Sequence, residues 1–249
     1  FEWFQNALVI IKRKEKWKLV TKHIPFKFEA SVSDDDKATL YLHGTVGGYW
    51  EGINFNDVRN ALASFQGNEI EVHINSYGGD MFEGIAIKNF FSQRKETVTV
   101  IIDGLAASAA SIIAMGADKI LMPKDTQLMI HNPWTFAYGN AKELRKVADD
   151  LEKAQVSVEE TYLKRFKGDR EELKALLDEE TFLTADEAVT LGLADGIYGE
   201  DEPEEASNDA ETNVLDSLMA KYGTDEHEDK GKRNIERFAF LFTQKRGEQ

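Results

Sequence analysis

Hydrophobic and polar positions in the first two hundred residues follow two alternating periods, one typical of strands and one typical of helices. Residues 69–75 alternate apolar with polar side chains, which predicts a half-buried strand. Residues 55–66 place apolar side chains at helical spacing, and another helix is expected at about 80–93. Because strands and helices alternate along the chain, the pattern indicates an α/β domain with largely parallel strands.

The same alternation continues to about residue 198. A long segment at 140–166 is rich in Glu, Lys, Ala and Leu, so it predicts a helix that protrudes and packs against another subunit. Thr184 and Glu187 match a capping box, which predicts that a helix begins there and ends near Gly192. The remaining predicted elements are strands at 38–46, 97–102, 119–122 and 127–130 and helices at 108–115 and 170–177.

Composition shifts divide the chain into three predicted regions. An amino-terminal extension covers 1–36, an α/β domain 37–198, and an acidic linker with a carboxy-terminal extension 199–249. In the last region, 214–222 suits a short amphipathic helix. The apolar run at 238–242 is expected to dock onto the body of the chain, a neighbouring subunit or a partner.

Charge and composition exclude several kinds of function. A net charge of −15 argues against non-specific nucleic-acid binding, and the absence of cysteine excludes disulfides and thiolate chemistry. No segment approaches the roughly 20 apolar residues of a membrane span, and no leader is recognisable, although the chain begins at Phe1. We therefore expect a cytoplasmic protein that needs no metal or cofactor.

The most informative chemistry is a serine near a predicted helix start and a histidine at a strand end. A strand is expected to turn on Gly104 and lead into a helix whose first residues surround Ser108 with small side chains. His131 closes another short strand, and a nucleophilic serine needs such a base within hydrogen-bond reach. Taken alone, each feature also fits a structural role, as the close-packed start of a buried helix or as a core histidine.

A serine nucleophile of this kind also needs a carboxylate beside the histidine and backbone donors for an oxyanion. A carboxylate should orient the histidine, and the acidic segment 178–183 offers several candidates between which the residues alone do not decide. The backbone N–H of Ala109 is a natural oxyanion donor. Gly78 offers a second one, because backbone without a Cβ can approach substrate closely, although Gly78-Gly79 also fits a tight turn.

Four short motifs occur in order along the chain. They are Ile74-Asn75-Ser76-Tyr77-Gly78-Gly79, Gly104-Leu105-Ala106-Ala107-Ser108, Met129-Ile130-His131-Asn132-Pro133 and Phe182-Leu183-Thr184-Ala185-Asp186-Glu187-Ala188. In these motifs the chain resembles the Clp protease proteolytic subunit family, ClpP, over about residues 37–198. For that domain the resemblance implies a crotonase-like fold of repeated ββα units, serine endopeptidase activity on protein substrates, and a homo-oligomeric ring. It assigns Ser108 as the nucleophile, His131 as the base, and Gly78 and Ala109 as the oxyanion donors.

One departure from the family pattern concerns the third member of the triad. The usual aspartate stands two residues before the Phe of the Phe-Leu-Ser/Thr segment, and here that position is Glu180, with Asp178 as the reserve candidate. Glutamate and the two extensions are more similar to the bacteriophage branch, which cleaves scaffold or capsid proteins of the prohead. That resemblance implies a location in the host cytoplasm or inside the assembling prohead.

The sequence also predicts how a substrate binds, and it leaves several alternative classes of protein open. An extended peptide should add to the strand edge at Gly78 and to the segment after His131, with Gly79, Pro133 and Trp134 in contact with it. The alternatives are a housekeeping Clp subunit that works with an ATPase, a catalytically inactive crotonase-fold assembly protein, an acyl-CoA enzyme of the same fold, and a peptidase with a lysine base.

Overall fold

The computed structural model of the chain describes residues 7–13, 16–22, 24–33, 36–48, 51–200 and 217–218. Structural statements below concern these residues. None of the helices within them is long and apolar enough to cross a lipid bilayer.

The described chain contains strands and helices in alternating order. The strands are β1 (Ala7–Arg13), β2 (Lys16–Lys22), β3 (Lys27–Val32), β4 (Lys37–Val46), β5 (Glu69–Gly79), β6 (Thr97–Ala107), β7 (Lys119–Met122), β8 (Gln127–Ile130), β9 (Thr181–Thr184) and β10 (Gly196–Ile197). The helices are α1 (Phe55–Ala61), α2 (Met81–Ser92), α3 (Ala109–Ala114), α4 (Ala141–Tyr162), α5 (Arg170–Asp178) and α6 (Ala185–Thr190).

Eight of the strands form one sheet, while β1 and β2 form an antiparallel pair of their own. The path across the sheet is β10-β7-β6-β5-β4-β3, and every pair along it is parallel except β3 with β4. β8 pairs in parallel with the end of β6, and β9 is antiparallel to β8. The predicted α/β class with largely parallel strands is therefore confirmed.

Buried side chains alternate with more exposed ones along β4 and β5, so one face of the sheet packs into the core. Leu40, Leu42, Val72 and Ile74 are all essentially inaccessible to solvent, in step with the two-residue period. All six residues of α3 are buried. A Cβ at Gly84 in α2 would lie 2.8 Å from the carbonyl oxygen of Ala109, so the close approach of the two helices requires glycine there.

Side-chain caps begin the helices where the sequence predicts them. The Thr184 side chain accepts a hydrogen bond from the Glu187 N–H, and the Glu187 carboxylate accepts from the Thr184 N–H, so the predicted capping box is confirmed. Asn140 and Asp169 form the same reciprocal pair at the starts of α4 and α5. These caps satisfy N–H groups that have no partner within the helix.

Two strands are longer than their hydrophobic patterns predict, β6 because of a bulge and β5 because its buried positions after Ile74 are Ser76 and Gly78. The predicted turn at Gly104 is wrong: β6 continues to Ala107, and β5 likewise continues through Gly79. Ile74 of β5 pairs with Ile102 of β6, and the next pair is Ser76 with Ala106. One residue of β5 therefore lies opposite three residues of β6. The extra residues of β6 bulge out of register, and alternation is lost there although pairing resumes beyond it.

Other differences lie at element ends and in unpredicted strands. α1 ends at Ala61 rather than at residue 66. β9 has no alternation that marks it in the sequence, and β3, within the predicted extension 1–36, pairs with the main sheet. Of the predicted linker, the helix at 214–222 and the apolar tail, the structure describes only residues 199–200 and 217–218, among which Leu218 is buried in the core.

Candidate active site

Strand register brings the predicted site residues to one level of the sheet. Ala107 of β6 pairs with Met129 of β8, so Ser108, the next residue, lies beside the end of the strand that leads to His131. Ile130 pairs with Thr181 of β9 in antiparallel register. Because antiparallel strands run in opposite directions, the residue before Thr181 lies next to the residue after Ile130. That pair is Glu180 and His131.

Ser108 and His131 are in hydrogen-bond contact. The distance between His131 Nε2 and Ser108 Oγ is 2.7 Å. His131 is 9% exposed, so its imidazole is largely shielded from water while the serine is only half-buried. A buried imidazole that touches a partly accessible hydroxyl can accept its proton when the oxygen attacks.

The backbone at Ser108 is held in an uncommon conformation. Its φ is 57° and its ψ is −126°, a region that side-chain-bearing residues rarely occupy. The Ser108 N–H donates to the carbonyl oxygen of Met129 at 3.0 Å, which ties this residue to β8. Such strain, of order 1–3 kcal/mol, persists only where surrounding contacts hold it, and it concentrates at functional sites.

Glu180 approaches the other nitrogen of the histidine. Its Oε1 lies 3.4 Å from His131 Nδ1, within ion-pair range but longer than a well-formed hydrogen bond. The interaction with His131 lowers the pKa of the Glu180 carboxyl, and partial burial opposes that effect. The Glu180 side chain is 67% exposed, so water screens the interaction considerably.

The alternative acid, Asp178, has a different partner. Its carboxylate accepts a hydrogen bond from the side-chain amide of Asn132, the residue that follows His131. The Asn132 N–H also donates to the carbonyl oxygen of Leu177 at 3.2 Å. These two bonds fasten the end of α5 to the end of β8, so Asp178 contacts the histidine's neighbour instead of its ring.

Gly78 and Ala109 lie together beside the serine. A Cβ at Gly78 would be 2.7 Å from Ser108 Cβ and 2.9 Å from the nitrogen of Ala109, and the φ of Gly78 is 91°. Only glycine fits such a close approach. The Gly78 N–H donates to Ser76 Oγ at 2.9 Å, a bond that the sequence did not predict. Ala109 is the first residue of α3, whose leading N–H groups have no partner within the helix.

An open cavity of about 890 Å³ surrounds these groups. Ser108, His131 and Glu180 line it, and so do the three predicted substrate contacts Gly79, Pro133 and Trp134. Trp134 is 53% exposed and packs edge-to-face on Phe136, with ring centroids 5.4 Å apart. Apolar side chains of α4 form part of the wall, namely Val147, Leu151, Ala154 and Val158.

Two residues of this region were missed by sequence reasoning. Ser111 Oγ lies 2.7 Å from the carbonyl oxygen of Ser108 and 2.8 Å from that of Met129. It also lies 2.8 Å from the hydroxyl of Tyr162, at the end of α4. A second serine three residues after the first was the available signal, whereas nothing in the sequence links it to a tyrosine so far along the chain.

Comparison with known proteins gives the family. The Clp protease family model matches residues 60–201, more than half of the chain. The ATP-dependent Clp protease proteolytic subunit 1 of Chlamydia abortus (strain DSM 27085 / S26/3) is 32% identical over 135 residues, which are 53% of this chain and 70% of that protein. The chain therefore belongs to the Clp protease family and is a protease with the ClpP-like fold.

Replacing Gly78 by alanine tests how tightly the site is packed. We expect loss of peptide cleavage and a lower melting temperature, because the added Cβ would overlap backbone atoms of the residues around Ser108. The matched control is Gly199→Ala, since Gly199 has a φ of 86° with no atom within 4 Å of the new Cβ. The control should lose only the about 1–2 kcal/mol of left-handed strain and keep its activity. Wild-type cleavage by the Gly78 variant would contradict this description.

Proposed function

We propose that this protein is a serine endopeptidase in which Ser108 is the nucleophile, His131 the general base and Glu180 the acid that orients the histidine. The observation that carries the proposal is the 2.7 Å contact between Ser108 Oγ and His131 Nε2. Membership of a protease family makes hydrolysis of peptide bonds the reaction for which this contact is suited.

The proposed reaction has two stages, acylation of Ser108 and hydrolysis of the acyl-enzyme. Ser108 Oγ attacks the scissile carbonyl carbon while its proton passes to His131 Nε2. The imidazolium then gives that proton to the leaving amine, and an acyl-enzyme remains on Ser108. Water enters, loses a proton to His131 and attacks the ester, which releases the acid product and restores the serine.

Glu180 holds the histidine in the tautomer with its proton on Nδ1. A carboxylate whose pKa is lowered by the imidazole stays ionised as the imidazolium forms, so the ion pair strengthens during attack. The backbone of Glu180 has a φ of 51°, and its carboxylate lies 3.4 Å from His131 Nδ1 despite the extra methylene relative to aspartate. Asp178, which is bonded to Asn132, instead fixes the loop that carries Glu180.

The oxyanion is proposed to bind the backbone N–H groups of Ala109 and Gly78. The first belongs to the leading turn of α3 and lies next to the nucleophile. The second donates to Ser76 Oγ in the free enzyme, so the oxyanion must share or replace that acceptor. Each donor of this type is worth about 2.7–4 kcal/mol in a serine protease.

A protein substrate would bind as an extended segment along the site. Gly79 at the end of β5 offers a strand edge on one side, and Pro133 and Trp134 lie on the other side of the cavity. Residues 141–157 of α4 are mostly exposed, with Leu144 and Val156 in contact with solvent. That exposure supports the proposal that α4 packs against other copies in a homo-oligomeric ring.

Ser108→Ala tests the nucleophile directly. Cleavage of a fluorogenic peptide should fall by at least about 10⁴-fold, since loss of a catalytic serine costs about 10⁶-fold in a well-studied protease. Ring size by light scattering should stay unchanged. Ser92→Ala is the matched control, because that hydroxyl bonds only carbonyls of Lys88 and Gly116, away from the site. Full activity in the Ser108 variant would refute the proposal, and full activity in His131→Ala would favour a lysine base.

Glu180→Gln and Asp178→Asn distinguish the two acids. We expect kcat to fall about 10²-fold in the first variant, less than the about 10⁴-fold of a buried triad aspartate, because Glu180 is exposed. The Asp178 variant should stay within about threefold of wild type, as an exposed polar pair contributes little. The opposite ranking would make Asp178 the third triad member.

The lowered pKa of Glu180 also predicts a pH dependence of stability. A depressed pKa in the folded state adds stability above the unfolded value of 4.5, and this contribution is lost as pH falls through the lower folded value. The difference in unfolding free energy between wild type and Glu180→Gln should therefore shrink as the pH falls below 4.5 in urea titrations. A difference that grows in acid would contradict the assigned ion pair.

We propose further that the natural substrates are scaffold or capsid proteins of a phage prohead, cleaved in the host cytoplasm or inside the assembling particle. Glutamate at position 180 and the two extensions support this branch. The relative named above is an ATP-dependent proteolytic subunit, which favours a second candidate, a Clp subunit fed by an ATPase.

Incubation of folded capsid and scaffold proteins with this protease separates the two candidates. The phage proposal predicts cleavage at a few defined sites without ATP or an ATPase, and none with Ser108→Ala. Cleavage only when a Clp-type ATPase and ATP are added would support the second candidate instead.

A further inference from the structure

A buried hydrogen-bond chain runs from the long helix α4 to the nucleophile. The Tyr162 hydroxyl lies 2.8 Å from Ser111 Oγ, and that oxygen lies 2.7 Å from the carbonyl oxygen of Ser108 and 2.8 Å from that of Met129. Ser111 is completely buried and Tyr162 is 1% exposed. Neither group takes part in the proton transfers proposed above.

The direction of each bond follows from counting protons. Carbonyl oxygens only accept, so the single hydroxyl proton of Ser111 must point toward the oxygens of Ser108 and Met129. If it pointed to Tyr162 instead, two carbonyl oxygens would face a third oxygen with no proton between them. Tyr162 therefore donates to Ser111, and burial raises the pKa of Tyr162, which keeps this donor protonated.

The two carbonyls at the end of the chain belong to the two halves of the site. One is part of Ser108 itself, whose backbone is strained at a φ of 57°. The other belongs to Met129, which accepts the Ser108 N–H at 3.0 Å and lies two residues before His131. A single hydroxyl thus joins the residue that carries the attacking oxygen to the strand that carries the base.

We propose that Ser111 and Tyr162 are a positioning pair that holds Ser108 in its strained conformation, in reach of His131; this rests on the proposed role of Ser108. Ser111 fixes the two carbonyls, and Tyr162 orients the hydroxyl of Ser111. Loss of either hydroxyl lets the strained residue relax, and a displacement of about 1 Å at a nucleophile can cost about 10²-fold in rate.

The test compares kcat and KM for a fluorogenic peptide in Tyr162→Phe, Ser111→Ala and the double variant. Tyr162→Phe keeps the buried ring and removes only the oxygen. We expect kcat to fall about tenfold in Tyr162→Phe and about 10- to 100-fold in Ser111→Ala, with KM within about twofold of wild type. Because the pair acts in series, the double variant should be no slower than Ser111→Ala by more than about twofold.

Thr161→Val is the matched control. Thr161 is the neighbour of Tyr162 on α4 and is also buried, and its hydroxyl donates a hydrogen bond to the Ser157 carbonyl of the same helix. It should keep wild-type kcat even where its melting temperature falls as far as that of Tyr162→Phe. A merely structural role of the pair would instead make kcat follow the melting temperature in all of these variants.

Other outcomes overturn the proposal in distinguishable ways. Wild-type kcat in both Tyr162→Phe and Ser111→Ala refutes the positioning pair, provided that Ser108→Ala is inactive. So does a double variant whose loss is the product of the two single losses, since the two hydroxyls would then act independently. Full activity of Ser108→Ala would refute the proposed function itself, and the positioning pair with it.

Discussion

The backbone registers of β5, β6, β8 and β9 are the constraint on which the site depends. β6 and β8 end, and β9 begins, at one level of the sheet, so the residues that flank their last paired positions meet without any long loop to place them. Gly78 of β5 lies against Ser108 at the same level. Pairing of Ala107 with Met129 sets Ser108 beside the base strand, and pairing of Ile130 with Thr181 sets Glu180 beside His131. A slip of one residue in either register would turn the functional side chain to the opposite face.

Two of the three non-glycine residues with a positive φ in the described part of the chain lie at the candidate site. Ser108 and Glu180 both have positive φ values, and both lie directly beside paired strand residues. The Ser108 N–H donates to the Met129 carbonyl, and the Ser108 carbonyl accepts from the Ser111 hydroxyl, which also contacts Met129 and Tyr162. Glu180 is held more loosely, through Asp178 and Asn132, and its side chain is exposed. Contacts that hold the backbone therefore become weaker from Ser108, the proposed nucleophile, to Glu180, the proposed acid.

Much of the fold and site could be predicted from the sequence because their signals are local. Two-residue alternation marks β4 and the first part of β5, and the Thr184–Glu187 cap is a short motif. The bulge at Gly104 was mistaken for a turn, since glycine permits both. The link between Ser111 and Tyr162 could not be foreseen, because it joins distant positions through side chains whose types are ordinary in a buried core.

The central claim is that Ser108 Oγ is activated by His131, and covalent labelling measures this most directly. A fluorophosphonate reacts with a serine only where a neighbouring base takes its proton, so the adduct can be located by peptide mass spectrometry. We expect one adduct, on Ser108, formed at least about 10²-fold more slowly in His131→Ala. An adduct on a different hydroxyl, or equal labelling of Ser108 with and without the imidazole, would contradict the account.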